Sequence, residues 1–175
     1  MDEVKNSSME HKKRGSGRRT GNRGARPERE KPEYEQKILD LARVTRVTAG
    51  GKRMRFRATV VIGNRKGQVG LGIAKGADVA LAVDKAYRQA RKKVFQIPLV
   101  NETIPHEIRS KFGAAKVLLR PAPKGTGLKA GGSVRVLLEL AGVPNAVSKI
   151  YGGSNNKINV AKATCEALQH LQISK

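Results

Sequence analysis

The sequence predicts an α+β protein built as two small two-layer units, and three observations support that class. Residues 37–73 carry strand-like alternation broken by glycine-rich turns. Apolar residues at helical spacing follow directly after them. Beyond an extended, proline-marked stretch around "QIPLVNETIPHEI", strands and helices succeed one another a second time. The expected organisation is a tail over 1–33, a first domain over 34–97 and a second over 98–175.

The tail contains "HKKRGSGRRTGNRGARPEREKPE" and has almost nothing to bury, so it reads as disordered. In the first domain, Arg53, Arg55 and Arg57 alternate with Met54, Phe56 and Ala58. A period of two sends the apolar side chains toward a core and the guanidinium groups outward. The segment "VTAGGKR" at 47–53 reads as a hairpin tip and "GNRKGQ" at 63–68 as a second turn, with Val69, Leu71 and Ile73 continuing the alternation. Val79, Val83, Ala86, Tyr87, Ala90 and Val94 then recur at three and four, the stripe of a helix that covers a sheet. The unit is βββα.

In the second domain "KVLLR" at 116–120 reads as a short buried strand. Val134, Leu137, Leu138 and Ala141 stripe a helix that Gly142 and Pro144 end. "NAVSKIY" at 145–151 suits a strand, and Asn159 is the expected N-cap of a last helix turning Val160, Ala163, Ala167, Leu168 and Leu171 inward. The unit reads as about two strands, helix, strand, helix.

Charge narrows the function. The chain of 175 residues has 36 Lys plus Arg against 14 Asp plus Glu, a net of +22. A polyanion is the partner such a balance implies. Two long stretches lack any acid, 41–77 and 108–138, whereas a merely solvated surface mixes both signs. No apolar run reaches the roughly 18 to 20 residues of a membrane span, and no secretion-type start is evident, so the chain reads as cytosolic with no membrane partner. The single Cys165 has no internal partner for a disulfide, which agrees with a reducing compartment.

One loop imitates an enzyme. Gly125-Thr126-Gly127-Leu128-Lys129-Ala130 spells G-x-G-x-x-A ahead of a helix. A dinucleotide site also needs an acidic residue about 20 positions on for the ribose, yet residues 140–164 contain no Asp or Glu. It is not a phosphate loop of the Walker type either. Two other readings stay open: a flexible lead into the helix, or a helix start whose free N–H groups, with Lys124 and Lys129, meet a phosphate or a partner's carboxylate. His11, His106 and His170 have no nucleophile or carboxylate at a telling spacing, and no catalytic set, metal site or cofactor is expected. Nucleic-acid binding survives. Basic side chains on a hairpin's outer face neutralise backbone phosphates, and with so few aromatics, structured RNA met by shape fits better than single strands met by stacking. Charge alone does not exclude DNA.

Several ordered segments resemble one family. "GGKRMRFRATVVIGNRKGQVGLGIAKGADV" (50–79), "TIPHEI", "FGAAKVLLRPAPKGTGLKAGGSVRVLLELAG" and "INVAKAT" together resemble bacterial small-subunit ribosomal protein five, from about Gln36 to Leu171. The resemblance implies a double-stranded-RNA-binding-like βββα domain followed by a βαβα-type domain with a left-handed crossover. It implies binding to small-subunit ribosomal RNA near the head–body junction and contact with ribosomal proteins four and eight. It also implies a place beside the path by which messenger RNA enters, and a part in translational accuracy. No enzymatic activity is implied. The expected ribosomal RNA contacts are Arg46, Lys52, Arg53, Arg55, Arg57, Arg65, Lys66 and Lys75. The hairpin tip with Val47, Thr48, Gly50 and Gly51 corresponds to the region associated with spectinomycin. Gly125, Gly127 and Arg135 correspond to the fidelity interface with protein four. Departures from the family are Lys124 where an acid is frequent, a longer "YGGSNNKIN" and Ser110 for glycine. The alternatives are a non-ribosomal RNA-binding regulator and a nucleotide-dependent enzyme.

Overall fold

The computed structural model describes residues 33–172, and the expected tail lies outside them except for Glu33. The first sheet is antiparallel in the order β1-β2-β3-β4, formed by Glu35–Thr48, Gly51–Gly63, Gln68–Gly76 and the short Phe95–Gln96. Helix α1 (Val79–Arg91) lies between β3 and β4 in the chain. The expected βββα succession is present, with one short strand added after the helix.

Small residues bring α1 against this sheet. Its buried stripe is Ala82, Ala86 and Ala90, four apart, with Val83, Tyr87 and Val94 half-buried beside it. The facing strand β3 supplies Gly70 and Gly72. A Cβ at Gly70 would stand 2.6 Å from the Ala90 carbonyl oxygen, and one at Gly72 would run into that of Ala86. The helix can approach this closely only because the strand is bare there. Ala58, Val60 and Ile62 of β2 complete this core.

The second sheet has the order β5-β6-β8-β7: Ile108–Phe112, Ala115–Pro121, Ala146–Tyr151 and Leu128–Lys129. Strands β5, β6 and β8 are antiparallel neighbours, while β7 and β8 are parallel and joined through α2 (Gly132–Ala141). Helix α3 (Lys157–Gln169) packs on β5, β6 and α2. Gly142, at φ +81°, ends α2 in the left-handed conformation, as the sequence implies. The cap of α3 is Asn156 rather than Asn159. The Asn156 side chain accepts from the N–H groups of Ile158 and Asn159, so the helix starts three residues early.

The two sheets share a core. Val61, Val69 and Ile97 belong to one buried cluster with Leu119, Leu137, Leu138 and Leu168 of the second domain. The turn at 63–68 fastens the seam: the N–H groups of Arg65 and Gly67 donate to the carbonyls of Leu140 and Ala141 at 2.9 and 2.8 Å. Carbonyls at a helix C-terminus lack partners within the helix, so this turn serves as their cap.

Candidate nucleic-acid interface

Strand β2 is longer than the helix that covers it. Burial begins at Ala58, and everything from Gly51 to Arg55 is exposed, including Met54 at 43%. The expected inward turn of Met54 therefore meets no core, because β1 and β2 project past α1 as a two-stranded arm. At its tip the Thr48 hydroxyl donates to the Gly51 carbonyl at 3.0 Å. Val47 is 73% exposed, and nothing lies within 4 Å of a Cβ built on Gly50 or Gly51.

Residues directly opposite in an antiparallel ladder share a face. Arg46 faces Arg53, Val44 faces Arg55, and Arg57 faces Lys75. These pairs define the arm's basic face, where Val44, Thr45, Arg46, Arg53, Arg55 and Lys75 line a groove of about 230 Å³. Among the described residues, none of Arg46, Arg53, Arg55 and Lys75 has an ion-pair partner. Like charges opposed across strands destabilise a sheet, so the groove is arranged for an anion that this part of the chain does not provide.

The other expected contacts separate from this group. Lys52, opposite Val47, lies on the reverse face of the arm. Arg57 is half-buried and pairs with Asp40 at 3.5 Å, which also holds Lys157 at 3.8 Å. Arg65 and Lys66 sit at the opposite end of β2, roughly 30 Å from Arg53 at strand rise. Arg65 pairs with Glu35 at 2.8 Å, and its backbone is committed to the seam.

The 122–131 loop forms a second locus. Gly125 and Gly127 have φ of +87° and +69°, with nothing within 4 Å of an added Cβ. Arg135 is exposed in the first turn of α2. Lys124 reaches Glu102 at 3.7 Å. What holds the loop was missed in the sequence. Buried Asn145 accepts from the Gly127 N–H at 3.0 Å, and its own carbonyl accepts from the Thr103 hydroxyl at 2.7 Å. Thr103 in turn accepts from the Ala122 N–H. In the sequence Asn145 directly follows Pro144, and nothing local distinguishes it from an ordinary turn residue after a helix stop.

Among the described residues no group of three or more His, Cys, Asp or Glu could hold a metal, and no helix is long and apolar enough to cross a membrane.

Comparison with known proteins agrees with this architecture. Residues 34–98 match the family model "Ribosomal protein S5, N-terminal domain", and 110–174 match "Ribosomal protein S5, C-terminal domain". Proteins named "Small ribosomal subunit protein uS5" from Thermotoga petrophila and from Thermotoga sp. (strain RQ2) are each 47% identical over 139 residues. That alignment covers 79% of this chain and 78% of each relative. Two matched domains in the order of the two sheets, with a relative this similar over most of the length, place the chain in the ribosomal protein S5 family.

Proposed function

We propose that the chain, as a cytoplasmic small-subunit ribosomal protein, binds small-subunit ribosomal RNA through the basic face of the β1–β2 arm. Arg46, Arg53, Arg55 and Lys75 neutralise backbone phosphates there. The observation that carries this reading is the opposition of Arg46 and Arg53, neither with an ion-pair partner among the described residues. Lys52 and the tip residues Val47, Thr48, Gly50 and Gly51 extend the contact beyond the groove. Arg57 and Arg65, held by Asp40 and Glu35, reinforce the arm and the seam, while Lys66 is free to meet RNA at the far end.

Because the first sheet, from which the arm projects, shares one core with the second domain, a load on the arm is transmitted through that sheet to the 122–131 loop. In this reading the protein stabilises the head–body arrangement, and Gly125, Gly127 and Arg135 meet ribosomal protein four in setting accuracy. Protein eight and the path of incoming messenger RNA complete its surroundings. Its role is structural, with no catalytic step. The test is RNA affinity against salt for Arg46→Gln, Arg53→Gln and Arg55→Gln combined. The slope is expected to fall by up to about 0.9 per lost contact in the duplex limit. An unchanged slope would remove the arm from the interface.

A further inference from the structure

Among the described residues, the second sheet carries helices on one face only. Ala115, Val117 and Leu119 of β6 point into the shared core under α3. Their neighbours point the other way, where no element among the described residues covers them. The ladder places Arg109 opposite Leu118, Lys111 opposite Lys116, and Arg120 opposite Val147. Lys149 lies opposite Leu118 on the other side, and Lys129 opposite Val147. The six basic residues on this face are exposed, and so is Tyr151, opposite Lys116.

Among the described residues, only Glu107 answers this charge. Its carboxylate pairs with Arg120 at 2.7 Å and with Arg109 at 3.3 Å at one side of the face. Lys111, Lys116, Lys129 and Lys149 have no ion-pair partner among the described residues. Lys111 and Lys116 repeat in this sheet the opposed like charges of Arg46 and Arg53. Leu118 is buried although it belongs to this face and not to the core cluster, which fits cover by the aliphatic stems of long basic neighbours. The result is a sheet face with a buried apolar floor and a cationic top.

We propose that this outer face is a second docking surface for the phosphate backbone of RNA, taking a segment other than the one on the arm. It deepens the RNA-binding reading, and the chain would tie two RNA segments together through one shared core. An open hollow of about 490 Å³ on this face is lined by Arg109, Lys111, Lys116 and Tyr151, and this basic lining suits a duplex backbone, where contacts are made by charge and not by base edges.

The test uses the full chain and a short RNA duplex at low salt. The parent is expected to bind two duplexes. Lys111→Gln with Lys116→Gln and Lys149→Gln should bind one, with the salt slope lowered by up to about 0.9 per substituted contact. Thermal unfolding checks that this variant folds, and Lys149→Gln alone serves if it does not, read by slope. Parent-like stoichiometry and slope in the sheet variant would overturn the proposal while leaving the arm untouched. Loss in the sheet variant with none in the arm variant would uphold it and sink the arm. In assembled subunits, a photo-crosslinker at 149 that captures only protein would also overturn it, by showing an acidic protein surface on this face.

Discussion

Arg46 and Arg53 stand directly opposite each other across the β1–β2 ladder, and among the described residues neither has a carboxylate partner. Opposed like charges cost a sheet a few tenths of a kcal/mol to about 1 kcal/mol. Replacing Arg53 by Gln should therefore leave the free protein as stable as before, or slightly more so, while weakening RNA binding. Paired denaturant melts and RNA titrations separate the two effects. A stability loss matching the binding loss would show that Arg53 serves the fold.

The arm shows what alternation can and cannot convey. Residues 53–57 identify two faces correctly, because a period of two is local. Whether a face is covered depends on where α1 stops, and Met54 lies beyond it. The same limit applies to Arg57 and Arg65. Their partners Asp40 and Glu35 come from β1, and pairing register is a long-range property. The turn at 63–68 was legible as a turn, but its grip on the end of α2 was not. The cap of α3 was misplaced because Asn156 and Asn159 are equally good cap residues, and only the chain's actual turn decides between them.

Gly72→Ala should be severely destabilising. The added methyl would collide with the Ala86 carbonyl oxygen, which belongs to helix backbone and cannot step aside. A loss of about 3 kcal/mol or more, in the overpacking range, is expected in chemical denaturation. A near-wild-type midpoint would show that α1 can slide on the sheet.

Gly127→Arg tests the opposite situation. The site is open, so the cost is confined to a positive φ, about 1 kcal/mol. Ribosomes carrying this variant should assemble and show altered miscoding in a reporter assay. Normal accuracy would count against a fidelity role for the loop.

Asn145→Ala should cost about 1–3 kcal/mol, since it strips the acceptor from the Gly127 N–H. Amide exchange at Gly127 should accelerate while the arm's exchange stays unchanged. Unaltered exchange there would mean the loop does not depend on Asn145.

Cys165 predicts a pH effect. Cys165 is half-buried at a hollow it shares with Phe112 and Lys162, and desolvation there, with a smaller contribution from Glu166, pushes its thiol up to about 12. The folded state thus holds the proton more tightly than the unfolded chain, where a thiol titrates near about 8.5. The associated stability is complete below that value and is lost as pH rises toward the folded one. Native protein at pH about 9 should resist alkylation that is rapid after unfolding, and Cys165→Ala should lessen the alkaline decline. Rapid native labelling would contradict so raised a thiol.

The most direct measurement of the central claim is a photo-crosslinker placed at position 53 in assembled small subunits, with position 88 on the exposed side of α1 as a control. Crosslinks from 53 to small-subunit ribosomal RNA, absent from 88, are the expected result. Crosslinks from 53 to protein alone would contradict an arm built to hold RNA.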